Sequence, residues 1–462
     1  MNTSSREETI AAISTPPGAG GIGIIRVSGA QSLAILKTLF FPKDSGCLYR
    51  SHQFYYGHLR HPHSGTIVDE VLLVYMAAPN TYTREDLVEV HCHASYLVLQ
   101  NVLELILDRG ALLAEPGEFT KRAFLNGRID LTQAEAVIDI LSAKTRKGVD
   151  LAQEQLSGAL YRQIEPIRES LVHAKAVVEV AIDFPDEDLE IVDHSNMIEQ
   201  LRRDVLGPLK KLLAGVGQGR LYRDGISMVI AGLPNVGKSS LLNTMLQEER
   251  ALVTSIPGTT RDSIEEIIDI GGVPVRIIDT AGIRDGAGEV EELGITRAKA
   301  LINKADLVIF LVDGSRAISS GDQELFRQVS HKPVLVVVNK IDICQQETFD
   351  LSFLGDVVNQ VYISAKKQSG IDDLKQAIFK EILSGTEQWE EDSCAPNLRH
   401  KVALTSAFEA TERILVTLEH GMTYDLIAVD LHECLDCLKE IVGETTTEDI
   451  LDVIFEQFCL GK

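Results

Sequence analysis

The chain has little positive charge, no long apolar run and only a scattering of cysteines, and each shortage removes a class of function. Its 462 residues carry 44 Lys and Arg against 68 Asp and Glu, a net charge of −24 at pH 7. Such a surface repels phosphate backbones, which argues against general, non-specific nucleic-acid binding and against DNA as a partner. An RNA substrate would need a local basic patch or a basic partner. Gln200 to Arg223 holds several Lys and Arg and is a candidate, although a solvated helix face explains it better. No apolar run reaches membrane-spanning length, and Met1 to Glu8 lacks the basic-then-apolar pattern of a secretory signal. Seven cysteines, odd in number and dispersed, fit reduced thiols rather than a disulfide framework. A cytoplasmic, membrane-free protein of roughly two to four domains is therefore expected.

What is present is organised around Gly232 to Ser240. The apolar run Ile226 to Ala231 reads as a buried strand, Ser239 and Ser240 open a helix, and the glycines between them keep the spacing GxxxxGKS. Gly232 and Gly237 let backbone N–H groups turn inward on phosphate oxygens. Lys238 adds a point charge on the β- and γ-phosphates, and Ser239 can place its hydroxyl on Mg²⁺. Asn235, Val236, Gly237, Lys238, Ser239 and Ser240 are thus candidate phosphate-binding residues.

Further stretches follow in an order that a chance match would not produce. Thr254, Ser255, Ile256, Pro257, Gly258, Thr259 and Thr260 form a loop-like run in which Thr260 offers a second hydroxyl for the metal. Asp279, Thr280, Ala281 and Gly282 close the apolar strand around Val275 to Ile278; Asp279 can reach Mg²⁺ through water, and Gly282 leaves a backbone N–H for the γ-phosphate. Asn339, Lys340 and Asp342 follow the buried run Val334 to Val338. An Asp342 carboxylate can accept two hydrogen bonds from guanine N1–H and its 2-amino group, and adenine, lacking that donor pair, would be rejected. Ser364, Ala365 and Lys366, after Val361 to Ile363, complete the base pocket. In this order the motifs read as a GTPase domain of about 160 residues.

The glutamine that orients the attacking water in Ras-like proteins is missing, because Ile283 follows Gly282. Asn235 could instead hold a monovalent cation beside the phosphates. Glu291, in an acidic run, could reach a water through an intermediary, though on the residues alone a solvated carboxylate in a loop is the plainer reading.

The flanks differ in character. Up to about residue 125 the pattern is α/β, with strands at Thr9 to Ser14, Gly21 to Val27, Asp69 to Met76 and Leu87 to His93, and a helix over Ser95 to Asp108. The glycines near residue 20 do not open a helix, so a dinucleotide fingerprint is rejected. Arg26 stands at the end of an apolar strand. His91 and His93 would share one side of a strand, but no third ligand for zinc is obvious nearby. Leu131 to Leu213 reads as helical around an acidic turn at Asp183 to Asp188, and the helical pattern resumes over Leu398 to His420, Leu426 to Val442 and Thr447 to Phe458. Helical segments on both sides of an α/β domain suggest an insertion. Cys434 and Cys437 lie inside a helix and read as packing. The tail Cys459 to Lys462 does not match a prenylation box and reads as a free end able to enter a pocket or to fray.

Assembled, the chain resembles the MnmE or TrmE family of tRNA-modifying GTPases over nearly its whole length. The likeness rests on Thr15 to Gly18 with Gly20 to Gly29, Pro116 to Asn126, Ala181 to Asp186, the phosphate loop with Asn235, Gly258 to Asp262 and the final Cys459 to Lys462. It implies a multidomain α/β plus all-α fold: an N-terminal α/β tetrahydrofolate-binding and dimerisation domain over 1–127, a helical domain split into 128–222 and 388–462, and an inserted Ras-like P-loop GTPase domain over 223–387. The implied activity is K⁺-dependent GTP hydrolysis. With a flavin-dependent MnmG-type partner, in a heterotetramer or larger assembly, a homodimer would form the 5-carboxymethylaminomethyl or aminomethyl group on the wobble uridine of certain tRNAs. The carbon would come from a 5-formyl or methylene tetrahydrofolate.

The resemblance also assigns residues. Asn235, Thr254, Ile256 and Thr259 would hold K⁺, Ser239 and Thr260 would hold Mg²⁺, and Glu291 would orient the water through a second water, with Lys238 on the phosphates. Arg26, Glu89, Arg128 and Lys462 would line the folate site, with Cys459 near the one-carbon chemistry. Two departures stand out. Arg128 takes a position where lysine can stand, and His91 to Ala94 replaces a glycine-richer stretch. A ribosome-assembly GTPase would share the GTPase motifs but usually carries a basic RNA-binding module, and a folate-dependent aminomethyltransferase would have no use for a P-loop; neither explains both ends of the chain.

Overall fold

Alternating apolar residues build the first sheet and place its functional side chains. The computed structural model describes residues 8–16, 18, 20–44, 46–183, 193–249, 265–278, 300–343, 359–384 and 394–462. One compact unit comprises Met1–Ile138 with Leu438–Lys462, the other Asp139–Cys437. In the first, strands β1 (Ile10–Ile13), β2 (Gly20–Ser28), β3 (Phe40–Pro42), β4 (Gln53–Arg60), β5 (Ile67–Met76), β6 (Leu87–Ala94) and β7 (Leu112–Leu113) form a sheet in the order β3-β4-β5-β6-β2-β1-β7. All neighbours are antiparallel except β1 and β7.

Successive side chains of a strand point to opposite faces. Ile25 and Val27 are therefore fully buried against the helices Ser32–Leu39 and Tyr96–Leu107, while Arg26 between them turns to the other face. Arg26 lies within β2 rather than at its end, and the register sets it directly opposite Glu89 on β6. Strand β4 and the helix Ser32–Leu39 were not legible in the residue pattern. In β4 the inward positions are Tyr55, Gly57 and Leu59, so only two of three carry an apolar side chain. Glycine is nonetheless required there, since a Cβ at Gly57 would stand 2.3 Å from the Phe41 carbonyl oxygen.

A separate, smaller cluster of the same unit joins Leu131 and Ala134 of the helix Leu131–Ser142 to Leu451, Ile454, Phe455 and Phe458. The helix Glu448–Phe455 is tied to the helix Glu118–Leu125 by Lys121 and Asp452, 2.6 Å apart. The final residues continue from there onto β1 and β2 and do not fray.

The second unit holds β8 (Ile226–Ala231), β9 (Glu265–Ile270), β10 (Val273–Ile278), β11 (Leu307–Asp313), β12 (Val334–Asn339) and β13 (Gln360–Tyr362) in the order β13-β12-β11-β8-β10-β9. Every pairing is parallel except that of the edge strand β9. A parallel sheet covered on both faces needs continuous apolar strands, and all of β11 is buried. One face packs Met228, Ile230 and Leu311 with Ile371, Leu374 and Ile378; the other packs Val229, Phe310 and Val338 with Phe326 and Val329. Helices Arg146–Leu156, Ala159–Asp183, Gly207–Asp224, Leu398–Glu419 and Tyr424–Val442 account for the helical stretches read from the sequence.

Phe119, fully buried against Ile10, Ala12 and Ala114, also lies 5.6 Å beneath the Arg26 guanidinium. Phe119→Ala is expected to destabilise the first unit by about 3–5 kcal/mol, the usual cost of emptying an aromatic core site. Urea unfolding followed by hydrogen exchange in β1 and β2 checks this; a loss below about 1 kcal/mol would contradict the packing described.

Candidate functional site

The carboxyl ends of β8, β12 and β13 converge, which is where an open α/β sheet binds ligands. From β8 the chain turns through residues 232–237 into the helix Lys238–Glu249. Asn235 and Gly237 both have positive φ, 63° and 102°. Gly237 is required twice over: its φ disfavours a side chain, and a Cβ there would stand 2.2 Å from Asn339 Nδ2.

Asn339, at the end of β12, is 2% exposed. Its Nδ2 donates to the Val236 carbonyl at 2.8 Å, and its Oδ1 accepts from the Ala365 amide at 3.0 Å. One side chain thus joins the phosphate loop to the loop after β13. Lys340, in the left-handed region at φ 68°, donates Nζ to the Asn235 carbonyl at 2.8 Å and to Asp313 Oδ2 at 2.6 Å. Asp342 accepts from Ser364 Oγ at 2.7 Å, and Thr244 donates to the Ala365 carbonyl at 3.1 Å. Lys238 Nζ donates to the carbonyls of Gly232 and Leu233, each at 2.9 Å. The side chains of Asn235 and Ser239 are exposed, and Lys366 lies exposed beside buried Ser364 and Ala365.

Asp313 was not singled out from the residues, although a carboxylate closing a buried strand is the same signal that marked Asp279. Burial alone would raise its pKa. The Lys340 ammonium together with the Ser315 hydroxyl and amide outweighs that and holds the carboxyl below the usual carboxylate range. Thr254, Ser255, Ile256, Pro257, Gly258, Thr259, Thr260, Asp279, Thr280, Ala281, Gly282 and Glu291 lie outside the described residues.

The first unit gathers the other candidates. Arg26 Nη2 lies 2.9 Å from Glu89 Oε1, and Nε donates to the same oxygen at 3.0 Å. Both side chains are about four-fifths buried, at 21% and 18% exposure. Arg26 Nη1 also donates to the Gly461 carbonyl at 3.3 Å, which Ser14 Oγ bonds at 3.0 Å. Gly461, at φ 85°, cannot be replaced without a clash, since a Cβ would meet the Ile13 carbonyl oxygen at 2.4 Å. Cys459 is exposed two residues earlier, and Lys462 follows. Arg128 lies over the Tyr82 ring at 4.7 Å, and Arg26 stands 5.8 Å from the centre of the same ring.

His91 and His93 have separate occupations. His93 Nδ1 bonds Asp69 Oδ1 at 2.7 Å, whereas buried His91 Nε2 has no hydrogen-bond partner among the described residues and lies 3.5 Å from Glu89 Oε2. Among the described residues no group of three His, Cys, Asp or Glu is placed to hold a metal. Cys434 packs against Thr411 and the Ala407 carbonyl, and burial pushes its thiol up to about 12. The arginines of the Gln200 to Arg223 stretch face carboxylates: Arg202 meets Glu419, Arg203 meets Asp204, Arg220 meets Asp224 and Arg223 meets Asp139. Lys210 and Lys211 of the same stretch are exposed.

Two family models cover the chain, the GTP-binding protein TrmE N-terminus over residues 9–128 and the MnmE helical domain over 131–459. The chain belongs to the MnmE family. The tRNA modification GTPase MnmE of Desulfotalea psychrophila is 61% identical over 460 residues, 98% of each chain, and that of Geotalea uraniireducens is 47% identical over 99% of each. A crystal structure of an Era variant from Aquifex aeolicus bound to GDP and AlF4⁻ aligns at 28% identity over 40% of this chain and 66% of its own, with a TM-score of 0.28 that adds nothing to the MnmE assignment.

In this MnmE-family chain, Gly237→Ala is expected to push Asn339 off Val236 and to weaken GDP binding at least about tenfold, checked by fluorescent-nucleotide titration. The Asp313 carboxyl binds its proton more weakly folded than unfolded, so its contribution is present above about pH 4 and is lost as pH falls through the depressed folded value. Asp313→Asn should therefore flatten the acid side of the stability profile of the second unit. Superimposable profiles below about pH 4 would refute the coupling.

Proposed function

We propose that this chain is a K⁺-assisted GTPase that drives tRNA wobble-uridine modification together with a flavin-dependent MnmG-type partner. The observation that carries the nucleotide half is the convergence of Val236, Asn339 and Ala365 through one buried amide, with Lys340 on the Asn235 carbonyl. Asp342, held by Ser364, would read the guanine edge, and rejection of ATP follows from the unpaired acceptor that adenine would leave. Lys238 would leave the Gly232 and Leu233 carbonyls for the phosphates.

The residues fit a pair of cations. Asn235 presents an exposed amide oxygen on a loop whose backbone Lys340 holds, and Ser239 presents an exposed hydroxyl at a helix start. Asn235 with Thr254, Ile256 and Thr259 would hold K⁺, and Ser239 with Thr260 would hold Mg²⁺. When bound, these ions neutralise charge that develops on the transferred phosphoryl group. Glu291 would orient the attacking water in place of the missing glutamine.

The first unit fits a folate. The orphaned His91 Nε2 and the Glu89 carboxylate beside it, which Arg26 holds, offer donor and acceptor to a pterin edge, while Arg128 and Lys462 supply positive charge for the glutamate moiety. A tetrahydrofolate in the 5-formyl or methylene form would supply the one-carbon unit, with Cys459 close by. In this reading the chain divides at 127, 222 and 387, dimerises through the N-terminal domain and works in the cytoplasm. Among the described residues no helix is long and apolar enough to cross a membrane.

GTP hydrolysis by the purified chain is expected to be fast in K⁺ and slow in Na⁺ at matched ionic strength, with Asn235→Ala erasing the difference. Equal rates in both salts would remove the cation mechanism and leave a GTPase of this family that works without K⁺.

A further inference from the structure

We propose that a cleft beside the Arg26–Glu89 pair receives the poly-γ-glutamyl tail of a folate, so that the chain selects polyglutamylated folates over the monoglutamate. This rests on the folate reading above and adds a tail site to it. The cleft has a volume of about 660 Å³ and is lined by Arg84, Arg128, His52, Tyr82, Asn80 and Thr81 among others, with no Asp or Glu in its wall. That is notable in a chain with 24 more acidic than basic side chains.

Neither guanidinium has a carboxylate partner among the described residues. Arg84 Nη1 donates to the Asn126 carbonyl at 2.9 Å, and Arg128 rests on Tyr82. Nearby acids are committed elsewhere. Glu85 accepts from buried Arg122 at 3.1 Å and from Ser28 at 2.8 Å, and Asp86 accepts from the Ala78 amide at 3.0 Å. Planar guanidiniums left without an anion are suited to bidentate capture of carboxylates.

Backbone strain points to the same place. His52 at φ 62° and Arg84 at φ 59° both hold the left-handed conformation that side chains disfavour, and both line the cleft. Of the other three described non-glycine residues in this region, Asn235 and Lys340 stand at the nucleotide site and Gln368 lies in the turn after β13. Such strain clusters where ligands are held. Tyr82 links the two parts, since Arg26 and Arg128 both pack on its ring. A folate whose ring system meets Glu89 would therefore run its tail past Tyr82 toward Arg128 and Arg84. A short oligocarboxylate suits a cleft of this size better than an RNA backbone, which the overall negative charge repels.

The test is the dissociation constant of the full chain for tetrahydrofolate mono- and triglutamate, measured calorimetrically at low and high salt. The triglutamate is expected to bind at least about tenfold tighter at low ionic strength, with the advantage shrinking as salt screens the charges. Arg84→Gly removes the guanidinium while accommodating the positive φ, and should bring the two constants together; Arg84→Lys should recover part of the gap. Equal wild-type affinities would overturn the tail site and leave the folate reading standing. Binding of neither compound would overturn both. A preference that survives Arg84→Gly and Arg128→Gln would overturn the assignment of this cleft.

Discussion

With almost none of its surface in water, Asn339 must satisfy both ends of its amide inside the protein, and it does so by holding two loops that are 129 residues apart at Val236 and Ala365. Losing either partner would leave a buried polar group unpaired, at a cost of about 1–3 kcal/mol. The phosphate loop and the loop after β13 are therefore fixed against each other through one side chain. Gly237 is the condition for this contact, because only a residue without Cβ leaves room for the Asn339 amide.

The same site shows how charge is used. Lys340 neither floats in solvent nor pairs simply with one acid; it bridges the Asp313 carboxylate and a phosphate-loop carbonyl. Asp313 lies on β11, between the strands that supply the two loops, so the lysine ties a third strand end into the assembly. The positive φ values of Asn235 and Lys340 are tolerated because these hydrogen bonds over-determine the backbone.

In the first unit a cross-strand register performs the comparable service. Arg26 and Glu89 meet because β2 and β6 pair with those residues opposed, and the pair lies on the face away from the main apolar core. The C-terminal residues are then drawn in, since the Gly461 carbonyl accepts from Arg26 and Ser14. An end that polarity and length alone would leave frayed is ordered by two donors and by a backbone that only glycine can adopt. Exposed Cys459 is thereby held close to the Arg26 region.

The strands β2, β6, β8, β10 and β12, the helical flanks and the nucleotide motifs were legible in the residues, because apolar periodicity and glycine spacing are local properties. So was the family, through motifs spread from Thr15 to Lys462. Strand β4 was obscured by its polar and glycine content, and Asp313 carried no motif to mark it. What the tertiary structure alone decided is which side chains meet: Asn339 with Val236 and Ala365, Lys340 with Asp313, Arg26 with Glu89 and Gly461, and the acid-free wall around Arg84 and Arg128. Those contacts depend on sheet order and strand register, which join residues far apart in the chain, and no local pattern encodes them.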